Sequence, residues 1–194
     1  MGDSAVNRDA ILDVLSGYDP FVFEPRDVTR AAVLVPLREM GEGDALELIL
    51  TRRSEEIGEL AGQVAFPGGR LAECDATPTD GALREAHEEL GIPPDRVEVI
   101  GRLDDMVTVT GYHVVAVVGL VHPDVELVPS PREVARVFTV PLDTLLDPDG
   151  WENRIHEWKG SRLSVWHFPY DGEDVWGATG RTVRNMVELL WKQQ

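Results

Sequence analysis

PGGRLAECDATPTDGALREAHEELGI runs from Pro67 to Ile92. Its second half predicts a helix. Thr77 is a good N-cap, Pro78 suits the first helical position, and Asp80 follows at N3. Gly91 suits the C-terminal cap, and Pro93-Pro94 stop continuation. On that helix Glu85, Glu88 and Glu89 fall within a narrow arc at about 100° per residue. Gly81 shares the arc, while Leu83, Ala86 and Leu90 lie opposite, toward the expected core. Like charges at this spacing destabilise a helix by a few tenths of a kcal/mol per pair. Clustered carboxylates suit hard divalent cations with oxygen ligands, Mg²⁺ or Mn²⁺. Gly81 is expected to leave room on the metal-facing side. Arg84, off the arc, is placed to reach back to Asp75 and pin the loop to the helix. Taken alone, EAHEE equally describes a solvated acidic face.

Outward from this segment, 8–17 predicts an amphipathic helix with Ile11, Leu12 and Leu15 inward. Segments 30–36 and 45–51 predict a hairpin across a turn at 41–44, and 52–66 a polar loop. QVAFPGG (63–69) predicts a short strand. Segments 96–105 and 106–121 predict two strands, and 135–146 a strand running into a helical turn. Residues 161–177 predict a hairpin closed near Asp171-Gly172, and 179–193 an amphipathic helix with Val183, Met186, Val187, Leu190 and Trp191 inward. The mixture without strict βαβ alternation predicts an α+β fold with a mixed sheet between helices. One domain over 1–194 is expected, with residues 1–25 as a helical extension.

The chain is 43% hydrophobic and 27% charged, with a net charge of −17. Such a balance opposes nucleic acid as a partner, since binding phosphate backbones needs a basic surface. Any anionic substrate then needs metal ions or an arginine cluster to reverse the local field. Lysine occurs only at Lys159 and Lys192, so arginine carries nearly all positive charge. The one cysteine, Cys74, forms no intrachain disulfide, and the start carries no apolar signal region. No apolar run approaches the roughly 18 residues of a membrane span. A cytoplasmic protein is expected, and a homodimer is compatible with the sequence.

Gly69, Asp75, Arg84, Glu85, Glu88, Glu89, Gly91 and Ile92 together resemble the Nudix box, G-x5-E-x7-R-E-U-x-E-E-x-G-U with U aliphatic. Asp75 replaces the first glutamate, and eight residues rather than seven separate it from Arg84. Glu73 is an alternative for that place. The resemblance implies the Nudix fold, an α/β/α sandwich, and hydrolysis of a nucleoside diphosphate linked to another group. It implies Glu85, Glu88 and Glu89 as metal ligands, with the Gly69 carbonyl helping. Asp75, Arg84 and Gly91 would then be structural. Glu89 or Glu133, in SPREVAR, is implied as general base, with Glu88 beside them. A catalytically silent nucleotide-binding domain would be expected to have a damaged R-E-x-x-E-E core, and this one is intact.

Upstream, LILTRRSEEIGELAGQVAFPGG (48–69) resembles the signature L-L-T-x-R-[SA]-x3-R-x3-G-x3-F-P-G-G of the coenzyme A pyrophosphatase branch. Thr51, Arg53, Ser54, Gly62, Phe66, Pro67, Gly68 and Gly69 match, and Gly58 stands where the second arginine would be. Segments EVARVFTVPLDTLL and DVWGATGRTVRNMVELL resemble later parts of the same branch. The substrate implied is coenzyme A, with acyl-CoA esters in addition, cut to 3′,5′-ADP and 4′-phosphopantetheine. ADP-ribose and dinucleotides are the alternative. An arginine fork suits the extra 3′-phosphate, since it binds in a bidentate way. Arg53 is the first candidate, with Arg52 and Arg70 behind it. His113 is read as a partly buried strand residue, His87 as packing or surface, and Trp176 as a core filler or a stacking surface.

Overall fold

In the computed structural model, residues 6–41, 45–56, 58 and 60–192 are described. Strands β1 (Thr29–Glu39) and β7 (Tyr112–Val121) run parallel at the centre, registered from Thr29 opposite Tyr112 to Arg38 opposite Val121. Both are apolar along most of their length because helices cover both faces of the sheet. Around them lie β2 (Leu46–Arg53), β3 (Val64–Ala65), β4 (Gly68–Arg70), β5 (Val97–Arg102), β6 (Met106–Val107) and β8 (Val134–Pro141). The order is β3-β2-β1-β7-β5, with β4 on β1, β6 on β7 and β8 on β2.

Side-chain alternation divides the core in two. Ala32, Leu34, Ile49, Val115 and Val117 face helix α2 (Pro78–Leu90), which buries Ala82, Ala86 and Leu90 against them. Val35, Leu37, Leu48, Leu50, Ala116 and Val118 face the other way. There they meet α1 (Arg8–Ser16), α3 (Leu142–Leu146) and α4 (Gly177–Trp191). The expected sandwich is therefore present. A second sheet, β9 (Glu152–Trp158), β10 (Ser161–Tyr170) and β11 (Glu173–Val175), packs beside α4.

Several boundaries differ from the sequence reading. QVAFPGG is two strands: β3 pairs with β2 and β4 with β1, with Pro67 between them. Proline has no N–H for the ladder, so pairing changes partner there. The run 106–121 folds back on itself, Met106 opposite Val114, through a turn containing Gly111 at φ +86. Strand β9 is absent from the sequence reading because ENRIHEW carries little apolar alternation. It is joined to β10 by Lys159-Gly160, both at positive φ, a tight hairpin geometry. Asp171-Gly172 closes β10 and β11 as expected.

Residues 6–16 pack on the sheet. Val6, Ile11, Val14 and Leu15 enter the same cluster as α4, with Val14 buried in place of the expected Leu12. The expected turn at 41–44 falls mostly outside the described residues, as does residue 193, the last of the expected C-terminal helix.

The α2 start has a full capping box. Thr77 Oγ1 accepts from the Asp80 N–H at 3.2 Å, and Asp80 Oδ2 accepts from the Thr77 N–H at 2.8 Å. Thr77→Ala removes one half and is expected to cost about 1 kcal/mol of stability. Urea unfolding monitored by far-UV circular dichroism measures this; an unchanged midpoint contradicts it.

Candidate active site

The loop before α2 is tied down by one guanidinium. Arg84 Nε and Nη2 donate to Asp75 Oδ1 and Oδ2, each at 2.9 Å, and Nη2 also donates to the Arg70 carbonyl at 3.2 Å. Asp75 Oδ2 accepts the Ala72 N–H at 2.7 Å. The Arg84 hydrogen bonds, then the Ala72 N–H, hold the Asp75 carboxyl below the usual carboxylate range. The shorter side chain at 75 therefore makes the bidentate contact, and Glu73 is left exposed. Gly81 serves this loop. A Cβ there would stand 2.5 Å from Leu71 Cδ2 and 3.0 Å from Asp75 Oδ2. The expectation that Gly81 clears space for a metal is thus corrected: the loop fills that space.

Arg84 Nη1 donates to Glu85 Oε1 at 2.8 Å and Glu88 Oε2 at 3.2 Å. The three helix glutamates share an arc but not an environment. Their side chains are 15%, 54% and 6% exposed at Glu85, Glu88 and Glu89. Glu85 lies against Gly69, where a Cβ would stand 2.6 Å from its carboxyl carbon, so any larger residue would displace this carboxylate. Burial raises the Glu85 proton affinity above the ordinary carboxyl value, against the pull of Arg84.

Glu89 is turned inward at the C-terminal end of α2. The Ser130 N–H donates to its carbonyl at 2.8 Å, and the Val128 N–H to the Leu90 carbonyl at 2.8 Å, tying that end to the loop before β8. Burial pushes its carboxyl up to about 8; the Arg53 charge opposes this, and the charges of Glu85 and Glu133 add to it. Arg53 Nη1 is 4.0 Å from Glu89 Oε1, and Arg53 Nε is buried with no protein partner among the described residues. Glu133 is half-buried in the turn before β8; its carbonyl accepts the Ser54 N–H at 2.9 Å, beside Arg53.

The fold therefore gathers Gly69, Glu85, Glu89, Arg53 and Glu133, with Glu88 at the rim. Gly68 also belongs here, although the sequence marks it only as part of F-P-G-G. Its N–H favours the Glu89 carboxylate, and a Cβ there would stand 2.6 Å from the Ala32 carbonyl oxygen. Arg52 points to the opposite face of β2. Its Nη1 is 3.5 Å from buried Glu173, which also accepts from Arg136 Nη1 at 2.9 Å. The Arg70 side chain reaches Tyr112, donating to its hydroxyl at 2.6 Å. His113 is fully buried, with Nε2 2.9 Å from Asp105 Oδ2. His87 is exposed, and Trp176 stacks on His156 and His167 at 5.2 and 5.5 Å.

The donor set fits a hard divalent cation. The Glu85 charge raises the proton affinity of Glu89, the Glu88 charge raises that of Glu85, Glu133 acts on both, and the donors are all oxygen. Among the described residues no three His, Cys, Asp or Glu side chains already converge as a ligand group. Arg84 Nη1 takes one oxygen of each carboxylate, Glu85 Oε1 and Glu88 Oε2, which leaves the other oxygen of each to a cation.

A family model described as the NUDIX domain matches residues 28–159. The chain belongs to the Nudix hydrolase family. Proteins named Uncharacterized Nudix hydrolase NudL are similar to it. That of Shigella flexneri serotype 5b (strain 8401) is 40% identical over 164 residues, 84% of each chain. That of Escherichia coli (strain K12) is 41% identical over 158 residues, 81% of each. Among solved structures, the Nudix hydrolase RenU of M. smegmatis aligns at TM-score 0.50 and 25% identity, over 61% of this chain and 74% of that one. A MutT/nudix family protein of Enterococcus faecalis shares the fold at TM-score 0.51 and 14% identity, over 97% and 69%. Members of this Nudix family act on pyrophosphate bonds with divalent metal ions, and this chain is such an enzyme.

Glu89 has a sign-definite effect on stability. Its folded carboxyl, at about 8, keeps a proton that the unfolded chain releases near 4.5. Its contribution is present below that lower value and lost as pH rises through the upper one. With metal chelated, the wild type is expected to lose more stability than Glu89→Gln between those limits. Denaturation midpoints across that range test it; parallel profiles contradict it.

Proposed function

We propose that this Nudix hydrolase cuts the pyrophosphate of coenzyme A, and of acyl-CoA esters, to 3′,5′-ADP and 4′-phosphopantetheine. The observation that carries the reading is the pairing of Arg53, from the signature strand, with buried Glu89 of the carboxylate helix. The upstream signature thereby meets the catalytic helix in one site. Arg53 is the best-placed arginine for a substrate phosphate. Its buried Nε lacks a protein partner, and guanidinium binds phosphate oxygens in pairs.

Glu85, Glu88 and Glu89, with the Gly69 carbonyl, would hold Mg²⁺ or Mn²⁺. Bound cations supply positive charge against the phosphates and lower the proton affinity of water. The protein groups do the rest. Arg84 fixes the loop against the helix, and Gly69 lets the backbone approach Glu85. Arg53 orients the anhydride. Glu89 takes a proton from the attacking water as the new P–O bond forms and the bridging P–O bond breaks. An uncompensated Glu89 is protonated at neutral pH, so a base role needs the charge that a cation brings. Glu133, half-buried beside Arg53, is the second candidate for base.

A second reading, hydrolysis of other nucleoside diphosphate derivatives such as ADP-ribose, is favoured by Gly58. It stands where the signature has arginine, and a Cβ there would meet nothing within 4 Å. Arg52, the nearest replacement in sequence, is engaged with Glu173.

Incubation with coenzyme A or ADP-ribose, each with Mg²⁺, Mn²⁺ or chelator, is expected to release 3′,5′-ADP faster than ADP-ribose is cut. Chromatography with mass detection reads the products, and cleavage of ADP-ribose alone overturns the assignment. Glu89→Gln is expected to lower kcat by about 10²–10⁴ with folding retained. A fully active variant would shift the base to Glu133.

A further inference from the structure

The glycines that admit the carboxylates lie on a short stretch between two small strands. Strand β3 has two residues and β4 has three, and Pro67 between them has no N–H to donate. Gly68 and Gly69 carry no side chains to pack, and glycine is the most permissive residue in backbone conformation. Their placement therefore depends on bonds made by the chain around them. On the β4 side, Gly69 lies opposite Ala32 and Gly68 opposite Val33, and the Leu34 N–H donates to the Pro67 carbonyl at 2.9 Å.

On the other side, β3 ends the strand order, and its outer edge has no strand partner among the described residues. Val64 is buried, so its carbonyl needs a partner. Two threonine hydroxyls take successive carbonyls here. Thr51 Oγ1, on β2, donates to the Ala65 carbonyl at 3.0 Å, and Thr179 Oγ1, in the first turn of α4, donates to the Val64 carbonyl at 3.0 Å. A helical threonine often turns its hydroxyl back on its own helix, as Thr182 does to the Ala178 carbonyl at 3.1 Å. Thr179 instead gives its hydroxyl to a strand 115 positions away.

The platform under Thr179 is firm. Gly180 brings α4 against the second sheet, where a Cβ would stand 3.0 Å from the Val175 carbonyl oxygen and 3.2 Å from that of Trp166. Strand β11 is in turn tied to the main sheet, since Glu173 accepts from Arg136 Nη1 at 2.9 Å and faces Arg52 Nη1 at 3.5 Å. From Val64 the chain runs through buried Phe66 and Pro67, whose φ is fixed. It then reaches the Gly68 N–H, which favours the Glu89 carboxylate, and Gly69 against Glu85.

We propose that Thr179 is a positioning residue of the cation site: by holding the Val64 carbonyl it fixes β3 and, through it, the Gly69 carbonyl, one of the oxygens proposed to hold the cation. This rests on the metal site of the preceding reading and not on the choice of substrate. The test titrates the whole chain with Mn²⁺ and reads the unbound ion by electron paramagnetic resonance, with thermal melts to verify folding. Thr179→Val keeps the shape and removes the hydroxyl. It is expected to weaken Mn²⁺ binding about tenfold, the lower end of what losing a contact that supports a metal ligand costs. Thr179→Ser should keep the wild-type affinity. Thr182→Val removes a buried hydroxyl further along the same helix and should leave the affinity unchanged even where it lowers the melting temperature. If Thr179→Val does not fold, Thr51→Val decides, since it releases the neighbouring carbonyl and should weaken binding in the same direction. Wild-type affinity in the deciding variant overturns the proposal, as does equal weakening in Thr179→Ser or in Thr182→Val. Glu85→Gln tests the parent reading: if it binds Mn²⁺ as tightly as the wild type, the cation lies elsewhere and both readings fail.

Discussion

One guanidinium organises the site. Arg84 donates to both oxygens of Asp75, to the Arg70 carbonyl, and to Glu85 and Glu88. It joins loop, strand end and helix in a single network. Its proton affinity is raised, chiefly by the Asp75 hydrogen bonds, so it remains charged throughout. Lysine presents one compact ammonium and cannot match these planar, divergent directions. Because Asp75 is almost wholly buried, loss of Arg84 would leave a carboxylate without its charge partner, which is costlier than losing the pair together. Gly81 and Gly69 complete the arrangement, one admitting the loop and the other admitting Glu85.

Glu89 is the electrostatic counterpart. Helix α2 buries this carboxyl next to Glu85 and Glu133, with Arg53 at 4.0 Å as the compensating charge. A buried carboxyl with two like-charged neighbours takes up a proton or a cation. The same surplus of negative charge that makes a −17 protein a poor host for phosphates makes this site a good host for divalent ions. The acidic balance and an anionic substrate are therefore reconciled locally, not by the net charge.

The sequence made some of this legible and hid the rest for identifiable reasons. The capped helix and the R-E-x-x-E-E order placed Arg84 and the glutamates, because caps and helical period are local properties. The helical wheel could not separate Glu88 from Glu89. Their difference arises from β2, β8 and the loop bonded to Glu89 and Leu90, all remote in sequence. It misjudged Gly81 for the same cause: an arc says which way a residue points and not what stands there. The parallel pairing of β1 with β7 joins segments some eighty residues apart, and no local pattern encodes it. Strand β9 lacks the alternation that marks a half-buried strand, since most of its side chains are exposed.

Arg52 and Arg53 show how one elementary rule separates neighbours. Successive strand residues face opposite sides of a sheet. Ile49 belongs to the α2 side and Leu50 to the α4 side. Arg53 accordingly meets Glu89, while Arg52 meets Glu173 across the sheet. Period-two counting along β2 suffices to rank the two arginines once one strand residue is placed on the α2 side. It assigns Arg53 to the carboxylates and Arg52 to holding the second sheet. It also explains why Arg52 makes a poor substitute for an arginine at position 58. A side chain on the far face would have to cross the strand to reach the anhydride, abandoning Glu173 buried without one of its two cations.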